Sequence, residues 1–496
     1  MRSVRDGRLV RPTQEDKVAA AGSELVGGPA GRRALPGGWR TPVRVIVLVM
    51  IGMFALGMVQ KLPCYNHGWF FGATTQYTHA CYSDIPHLFA GRGFDQGLIP
   101  YLDEIPRSAG DMDYLEYPVL TGLFMEVAAL LTPGGSSKHE AQLYWFVNAG
   151  MLLVCAVVIA YCTARTHRRR PWDGLLVALA PAFALTATIN WDLFAVALTA
   201  GAMLAWSRGR AGTAGLLIGL AAAAKLYPVL LLWPLFLLCW RAGRWKEFRT
   251  SVSAAVIAWL VVNVPLMLVI DGPTAPIRTG WAKFYTFSQE RPVDYGSLWL
   301  LVSQRTGDPL EDVNTYATVL MALGALALGA LCLYAPRRPR FAQLVFLVVA
   351  LFVLTNKVYS PQYVLWLIPL VVLARPKWRD FLIWQTCEVL YFLAIWFHLA
   401  YTGDGDKHQG LPPEGYQLAI VLHLLGTLYL CVMVVRDVLR PDRDVIRRDG
   451  SDDPSGGVLD GAPDAFVLGT ARGAGRTEER PEAMRVQWGT GSGGTA

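Results

Sequence analysis

Residues 337–379 read RRPR FAQLVFLVVALFVLT NKVYSPQY VLWLIPLVVLA RPKWR: two apolar runs, closed at both ends by Arg and Lys and parted by the segment 356–363. Neither a 3.6 nor a 2 period separates polar from apolar faces between Leu344 and Leu354, so that stretch is apolar on every side. Lipid, or the heart of a helix bundle, is its natural surrounding. Counted out to the flanking arginines from Asn356 on one side and Gln362 on the other, the arms have about 16 and 13 residues, fewer than the ~20 that cross a hydrocarbon core. Cationic flanks belong on the cytoplasmic side. The stretch therefore predicts a helical hairpin that rises from the cytoplasmic face and carries its tip below the opposite surface. Lys357 and an irregular backbone survive at that depth only where they line a watered cavity walled by protein.

The same punctuation recurs along the chain. Basic clusters stand at Arg165 with Arg168 to Arg170, at Arg208 with Arg210, at Arg241 to Arg249, and at Arg436 to Arg448. Further tips fall at Asn190-Trp191-Asp192 and at Lys225-Leu226-Tyr227-Pro228. Of 496 residues, 53% are hydrophobic and 17% charged, a balance that excludes an ordinary soluble globule. The net charge of +7 gathers in these loops and needs no nucleic acid. Arg2 to Arg44 precede the run Val45 to Val59 with no small-residue cleavage site close behind it, which reads as an uncleaved first helix.

The expected architecture is an all-α polytopic membrane protein of about twelve helices. One helix is followed by an extracytoplasmic loop over 61–140 that contains juxtamembrane helices, and then by eleven more helices, with both termini cytoplasmic. A crossing at Pro118 to Leu131 would turn every later basic cluster outward, so this segment is expected to lie at the surface or re-enter. A second large outer loop covers 271–312. The membrane domain spans 43–436, flanked by cytoplasmic tails 1–42 and 437–496 whose composition predicts disorder. No internal repeat is evident. Of the eight cysteines, Cys64 and Cys81 share the first loop, where an oxidising space would leave a disulfide open to them, and the rest lie in apolar runs. Nothing has metal-ligand spacing, and neither a metal nor another cofactor is expected.

Chemistry-bearing residues collect on the outer side. The first loop carries Asp84, Tyr101, Asp103 and Glu116-Tyr117-Pro118. A carboxylate held against the membrane face suits removal of a proton from an attacking hydroxyl. The plain alternative is that each is a solvated loop acid. Lys225 and Lys357 need an anion at their depth, either Asp192 and loop carboxylates or a lipid-linked phosphate. With Arg291 they make a candidate phosphate site. Asn190, Asp192, Tyr359, Gln362, Tyr101 and Glu116 are candidates to hydrogen-bond sugar or donor oxygens.

Asp84 within Ser-Asp-Ile-Pro, the stretch Gly97 to Tyr101, Glu116-Tyr117-Pro118, Asn190-Trp191-Asp192, Ala224 to Pro228, Asp294 to Trp299 and Ser360-Pro361-Gln362-Tyr363 together resemble one family. It is that of the actinobacterial polyprenyl-phosphate-mannose-dependent mannosyltransferases, glycosyltransferase family 87, and the likeness covers roughly 43–436. The resemblance implies a C-type glycosyltransferase fold, a sugar donor on polyprenyl phosphate, catalysis at the outer face of the cell membrane, and Asp84 as general base. Where that family often has a double proline after its tyrosine, Pro118 is followed here by Val119. The expected reaction moves a hexose, in the first place mannose, to a cell-envelope glycolipid, lipoglycan or polysaccharide by inverting displacement. A lipid-linked or polyol-phosphate transporter is the competing class, and an envelope-assembly scaffold a third.

Overall fold

The computed structural model describes residues 9–25, 41–69, 75–106, 112–134, 137–269, 279–403 and 409–468. Among these residues the elements are helices, and the lone extended contact is a parallel bridge between Asp294 and Val358. Six helices are long and apolar enough to cross a membrane: Pro42–Gly68, Lys138–Thr166, Trp245–Met267, Val313–Tyr334, Trp378–Gly403 and Pro413–Leu439. Shorter apolar helices lie between them, among them Asp192–Ser207, Ala211–Ala224, Phe341–Thr355 and Val364–Ala374. At 1.5 Å per residue the last three are about 16 to 23 Å long, well short of a ~30 Å core. Their far ends are consequently sunk within the protein.

The deciding stretch lies at the centre of the bundle. Every residue of Val364–Ala374 is buried, whereas Val313–Tyr334 buries only Val313, Gly329 and Cys332. Both runs lack periodicity, one because protein surrounds it and the other because lipid does. Small residues set one close crossing, between Ala211–Ala224 and Trp245–Met267. Cβ atoms added at Gly215 and Gly219 would fall 2.0 and 2.2 Å from the carbonyl oxygens of Ser251 and Ala255, so backbone meets backbone there. The arm ahead of Asn190 is broken at Pro181 into Leu175–Ala178 and Pro181–Thr186. Gln385 Oε1 accepts the freed Ala182 N–H at 3.1 Å.

Val119–Leu130 is about 18 Å long, too short to cross. It buries Val119, Gly122, Met125 and Ala128 against the bundle and exposes Leu123, Val127 and Leu130. Cys64 and Cys81 form a disulfide that closes the start of the first loop.

The basic clusters gather at one end of the bundle, and the hairpin tips at the other. Both tails depart from the expectation of disorder at the basic end. Near the N-terminus, Glu15 pairs with Arg170 at 2.8 Å and Asp16 accepts the Trp378 N–H at 3.0 Å. Residues 440–468 form a packed strap. Asp444 pairs with Arg340 at 2.7 Å and Asp464 with Arg241 at 2.8 Å. Asp453 accepts the Phe341 N–H at 2.7 Å, capping the central helix. The strap's polar composition conceals this order because its Asp residues are counter-ions for buried arginines at the helix ends, Arg340 and Arg241. Residues 1–8, 26–40 and 469–496 of the tails lie outside the described residues, as do 70–74, 107–111 and 135–136 of the first loop and 270–278 of the second.

Candidate active site

At the end opposite the arginines, the tips and both loops enclose a cavity of about 500 Å³. Asp84, Glu116, Asn190, Lys225, Arg291 and Gln362 all line it, so residues spread over most of the chain converge.

Asp84 opens the helix Asp84–Gly91. Ser83 caps that helix, accepting from Ile85 N–H at 3.3 Å while its own hydroxyl donates to Thr188 O at 2.7 Å. The Asp84 N–H donates to Ile189 O at 2.7 Å, which ties the first loop to the Asn190 tip. The Tyr82 hydroxyl donates to Asp84 Oδ1 at 2.8 Å. Among the described residues no cation forms an ion pair with Asp84. Burial in the cavity wall pushes its carboxyl up to about 6, against the lowering pull of the Tyr82 hydroxyl and the Lys225 charge. A carboxylate so poised is ionised near neutrality and basic enough to accept a proton.

Lys225 ends the helix Ala211–Ala224 in an extended conformation, φ −157° and ψ 147°. Thr121 Oγ1 donates to the freed Ala224 carbonyl at 2.6 Å. The lysine Nζ lies 2.6 Å from Asp192 Oδ1 and 5.8 Å from the ring centres of Tyr117, Tyr363 and Trp366. Asp192 is thus the lysine's counter-ion rather than a free sugar contact, the structural alternative weighed from the sequence. Arg291 pairs with Asp294 at 2.7 Å, and Glu116 is held by Arg92 at 2.6 and 2.7 Å. Three cations face the cavity, each already beside one carboxylate. Asp84 alone stands apart from them.

Other predicted residues sit elsewhere. Lys357 Nζ donates to Gln289 O at 2.8 Å and does not line the cavity. Tyr101, with φ 67°, is 1% exposed and its hydroxyl reaches the carbonyls of Tyr117 and Pro118 at 2.9 and 2.8 Å, a brace beneath the Glu116 segment. Tyr359 is fully buried with its hydroxyl 3.2 Å from Thr427 Oγ1. Asn190, by contrast, lines the cavity, and its Oδ1 accepts from the Asp192 N–H at 3.0 Å. The sequence reading missed Tyr82, Arg92, Asp294, Tyr295 and Trp396 as lining residues. Tyr82 stacks on Trp396 at 4.8 Å, forming an aromatic wall beside Asp84. The signals available in the sequence were the nearness of Tyr82 to Asp84 and the stretch Asp294 to Trp299 among the motifs of the family resemblance.

Residues 114–356 match the sequence model of glycosyltransferase family 87. That stretch belongs to family 87. The chain is a membrane glycosyltransferase, and its family 87 region contains Glu116, Asn190, Asp192, Lys225 and Arg291, while Asp84 precedes it and Gln362 follows it. Among curated proteins none matches the chain. Among solved structures it is similar to ArnT from Cupriavidus metallidurans bound to undecaprenyl phosphate, at 14% identity and TM-score 0.38, over 79% of this chain and 77% of that one. It is also similar to the oligosaccharyltransferase of Archaeoglobus fulgidus in the apo form, at 8% identity and TM-score 0.39, over 80% of this chain and 55% of that one.

Proposed function

We propose that this glycosyltransferase moves mannose from polyprenyl-phosphate-mannose to a hydroxyl of a cell-envelope glycolipid, lipoglycan or polysaccharide at the extracytoplasmic face. The observation that carries this reading is the pairing, in one cavity, of a cation-free carboxylate of raised affinity for protons with a lysine and an arginine. Asp84 takes the proton of the acceptor hydroxyl. The acceptor oxygen forms its bond to the anomeric carbon as the bond from that carbon to the phosphate oxygen breaks, with inversion. The bonding pair leaves on the polyprenyl phosphate, which gains a negative charge as it becomes a monoester. Lys225 and Arg291 are placed to meet that growing charge.

An apolar trough of about 350 Å³ supports a prenyl-linked donor. It is lined by Leu226, Val229, Val256 and Tyr285, of which Leu226 follows Lys225 directly and Tyr285 follows the cavity residue Phe284. A phosphate beside Lys225 would have its chain continue along this trough. Sidedness is supported by two features at opposite ends: the arginine clusters suit the cytoplasm, and the Cys64–Cys81 disulfide on the cavity side suits an oxidising space.

The test is transfer of radiolabelled mannose from synthetic polyprenyl-phosphate-mannose to a membrane lipid extract by purified wild type and Asp84→Asn in parallel. Transfer by the wild type alone is the expected result. Equal transfer by both would refute Asp84 as the base. No transfer by either, with lipid-phosphate uptake into proteoliposomes instead, would establish the transporter class.

A further inference from the structure

Behind the cavity, the two long helices Trp378–Gly403 and Pro413–Leu439 bury a polar cluster that the transfer reaction does not touch. Glu388 is 2% exposed and His423 fully buried, within segments long and apolar enough to cross the membrane. Ionisable groups at such positions are costly and are kept where they hold or move something. His423 Nε2 lies 2.8 Å from the carbonyl oxygen of Gly296. A carbonyl only accepts, so the hydrogen sits on Nε2. The other ring nitrogen, Nδ1, faces Glu388 Oε2 at 3.7 Å. Glu388 Oε1 in turn accepts from Trp384 Nε1 at 3.0 Å and from Thr427 Oγ1 at 3.2 Å.

The cluster grips backbone of the cavity rim. Besides the His423 bond to Gly296 O, the Tyr416 hydroxyl accepts from Gly296 N–H at 3.0 Å, and the Tyr391 hydroxyl donates to Tyr359 O at 2.9 Å. Tyr391 also stacks on the His423 ring, with centres 4.0 Å apart and planes 11° apart. Gly296 and Tyr359 belong to two rim segments joined by their own backbone bonds, Asp294 N–H to Lys357 O at 3.0 Å and Tyr359 N–H to Tyr295 O at 2.9 Å. One segment presents Asp294 and Tyr295 to the cavity, the other Ser360 and Gln362. No side chain fits at the gripped residue. Gly296 has φ +51°, and a Cβ there would lie 2.3 Å from the Tyr391 hydroxyl.

We infer that His423, its ring held by the stack on Tyr391, is a positioning residue that fixes the 294–296 segment, and through it the Asp294 partner of Arg291, at the depth where the cavity meets its donor. This rests on the donor-binding reading of the Lys225 and Arg291 cavity. Its geometry makes the Nε2 hydrogen the functional element, so a residue that donates from the same place restores what an apolar residue removes.

The test compares wild type, His423→Leu and His423→Gln, with Gly296→Ala as a second route to the same contact. Amide hydrogen exchange over 292–299 and 357–361 in the detergent-solubilised protein is measured beside KM for polyprenyl-phosphate-mannose and kcat. Loss of one bond to a buried carbonyl predicts faster exchange at these segments by about tenfold in His423→Leu and Gly296→Ala. A rise in KM for the donor accompanies it, while exchange in the 341–355 helix stays unchanged and His423→Gln stays close to wild type. Equal behaviour of the Leu and Gln variants, or loosening spread evenly through the bundle, would overturn the inference. Absence of any transfer by the wild type would sink the donor reading alone, because the exchange pattern reports on His423 regardless.

Discussion

Replacing Tyr82 by Phe keeps the ring that stacks on Trp396 and removes the hydroxyl that donates to Asp84 at 2.8 Å. The carboxyl stands at about 6 with that bond in place, and the bond is one of the effects holding it down. The general base works ionised, so activity falls as pH drops through that value. Between pH 7 and pH 5 the ionised fraction goes from about nine tenths to about one tenth, and the rate follows it. A hydrogen bond worth about 1 kcal/mol to the charged form corresponds to about 0.7 of a pH unit. In Tyr82→Phe the acid limb of kcat/KM therefore moves upward by about that amount, and activity at pH 6 drops to roughly a third of wild type while activity at pH 8 is nearly kept. The assay is initial-rate mannose transfer between pH 5 and pH 8, with circular dichroism at each pH to confirm folding. An acid limb that stays in place, or a uniform loss at every pH, would refute Asp84 as the titrating base.

Three further outcomes follow from the same geometry. The Cys64–Cys81 bond closes a loop with a separation of 17 residues, so Cys64→Ser with Cys81→Ser lowers stability by about 3 kcal/mol, read as a drop in thermal midpoint that reductant reproduces in the wild type. Asp84→Asn raises the thermal midpoint at pH 7. A carboxyl whose folded value is about 6 favours folding only while protonated, that contribution fades as pH rises from the usual carboxylate range through about 6, and the gain from Asn vanishes by pH 4. Asp464→Ala leaves Arg241, which is fully buried, without its carboxylate, and lowers the thermal midpoint by the equivalent of about 3 kcal/mol.

The helices and their hairpin pairing were legible because lipid and bundle core impose the same apolar demand, and because arginine clusters mark one face. The converging tips were legible in part, since polar residues at the end of a short arm need a polar surrounding, which Asn190, Lys225 and Gln362 find in the cavity. Three things were hidden. The strap at 440–468 looks disordered by composition because its order comes from ion pairs and helix capping with residues a hundred or more positions away, as in Arg340 with Asp444. Lys357 and Lys225 look alike in sequence, yet one turns to the Gln289 carbonyl and the other to Asp192, a choice made by packing around the tips. The lining roles of Arg92 and Trp396 depend on which loop folds over which, and no local pattern encodes that.

The paired state of the cations bears on how the proposed reaction is driven. Lys225 sits at 2.6 Å from Asp192 and Arg291 at 2.7 Å from Asp294, so neither is a bare charge awaiting a ligand. A donor phosphodiester, carrying one negative charge, must compete with a carboxylate of equal charge for each cation. The departing monoester carries more charge and competes better, which weights the attraction toward the transition state and away from the ground state. The same pairing keeps the cavity close to neutral when empty, which lessens the cost of holding charge at membrane depth. Among the described residues that line the cavity, Asp84 is the carboxylate without an ion pair, and in a single displacement it is the group that must lose its charge by taking up a proton.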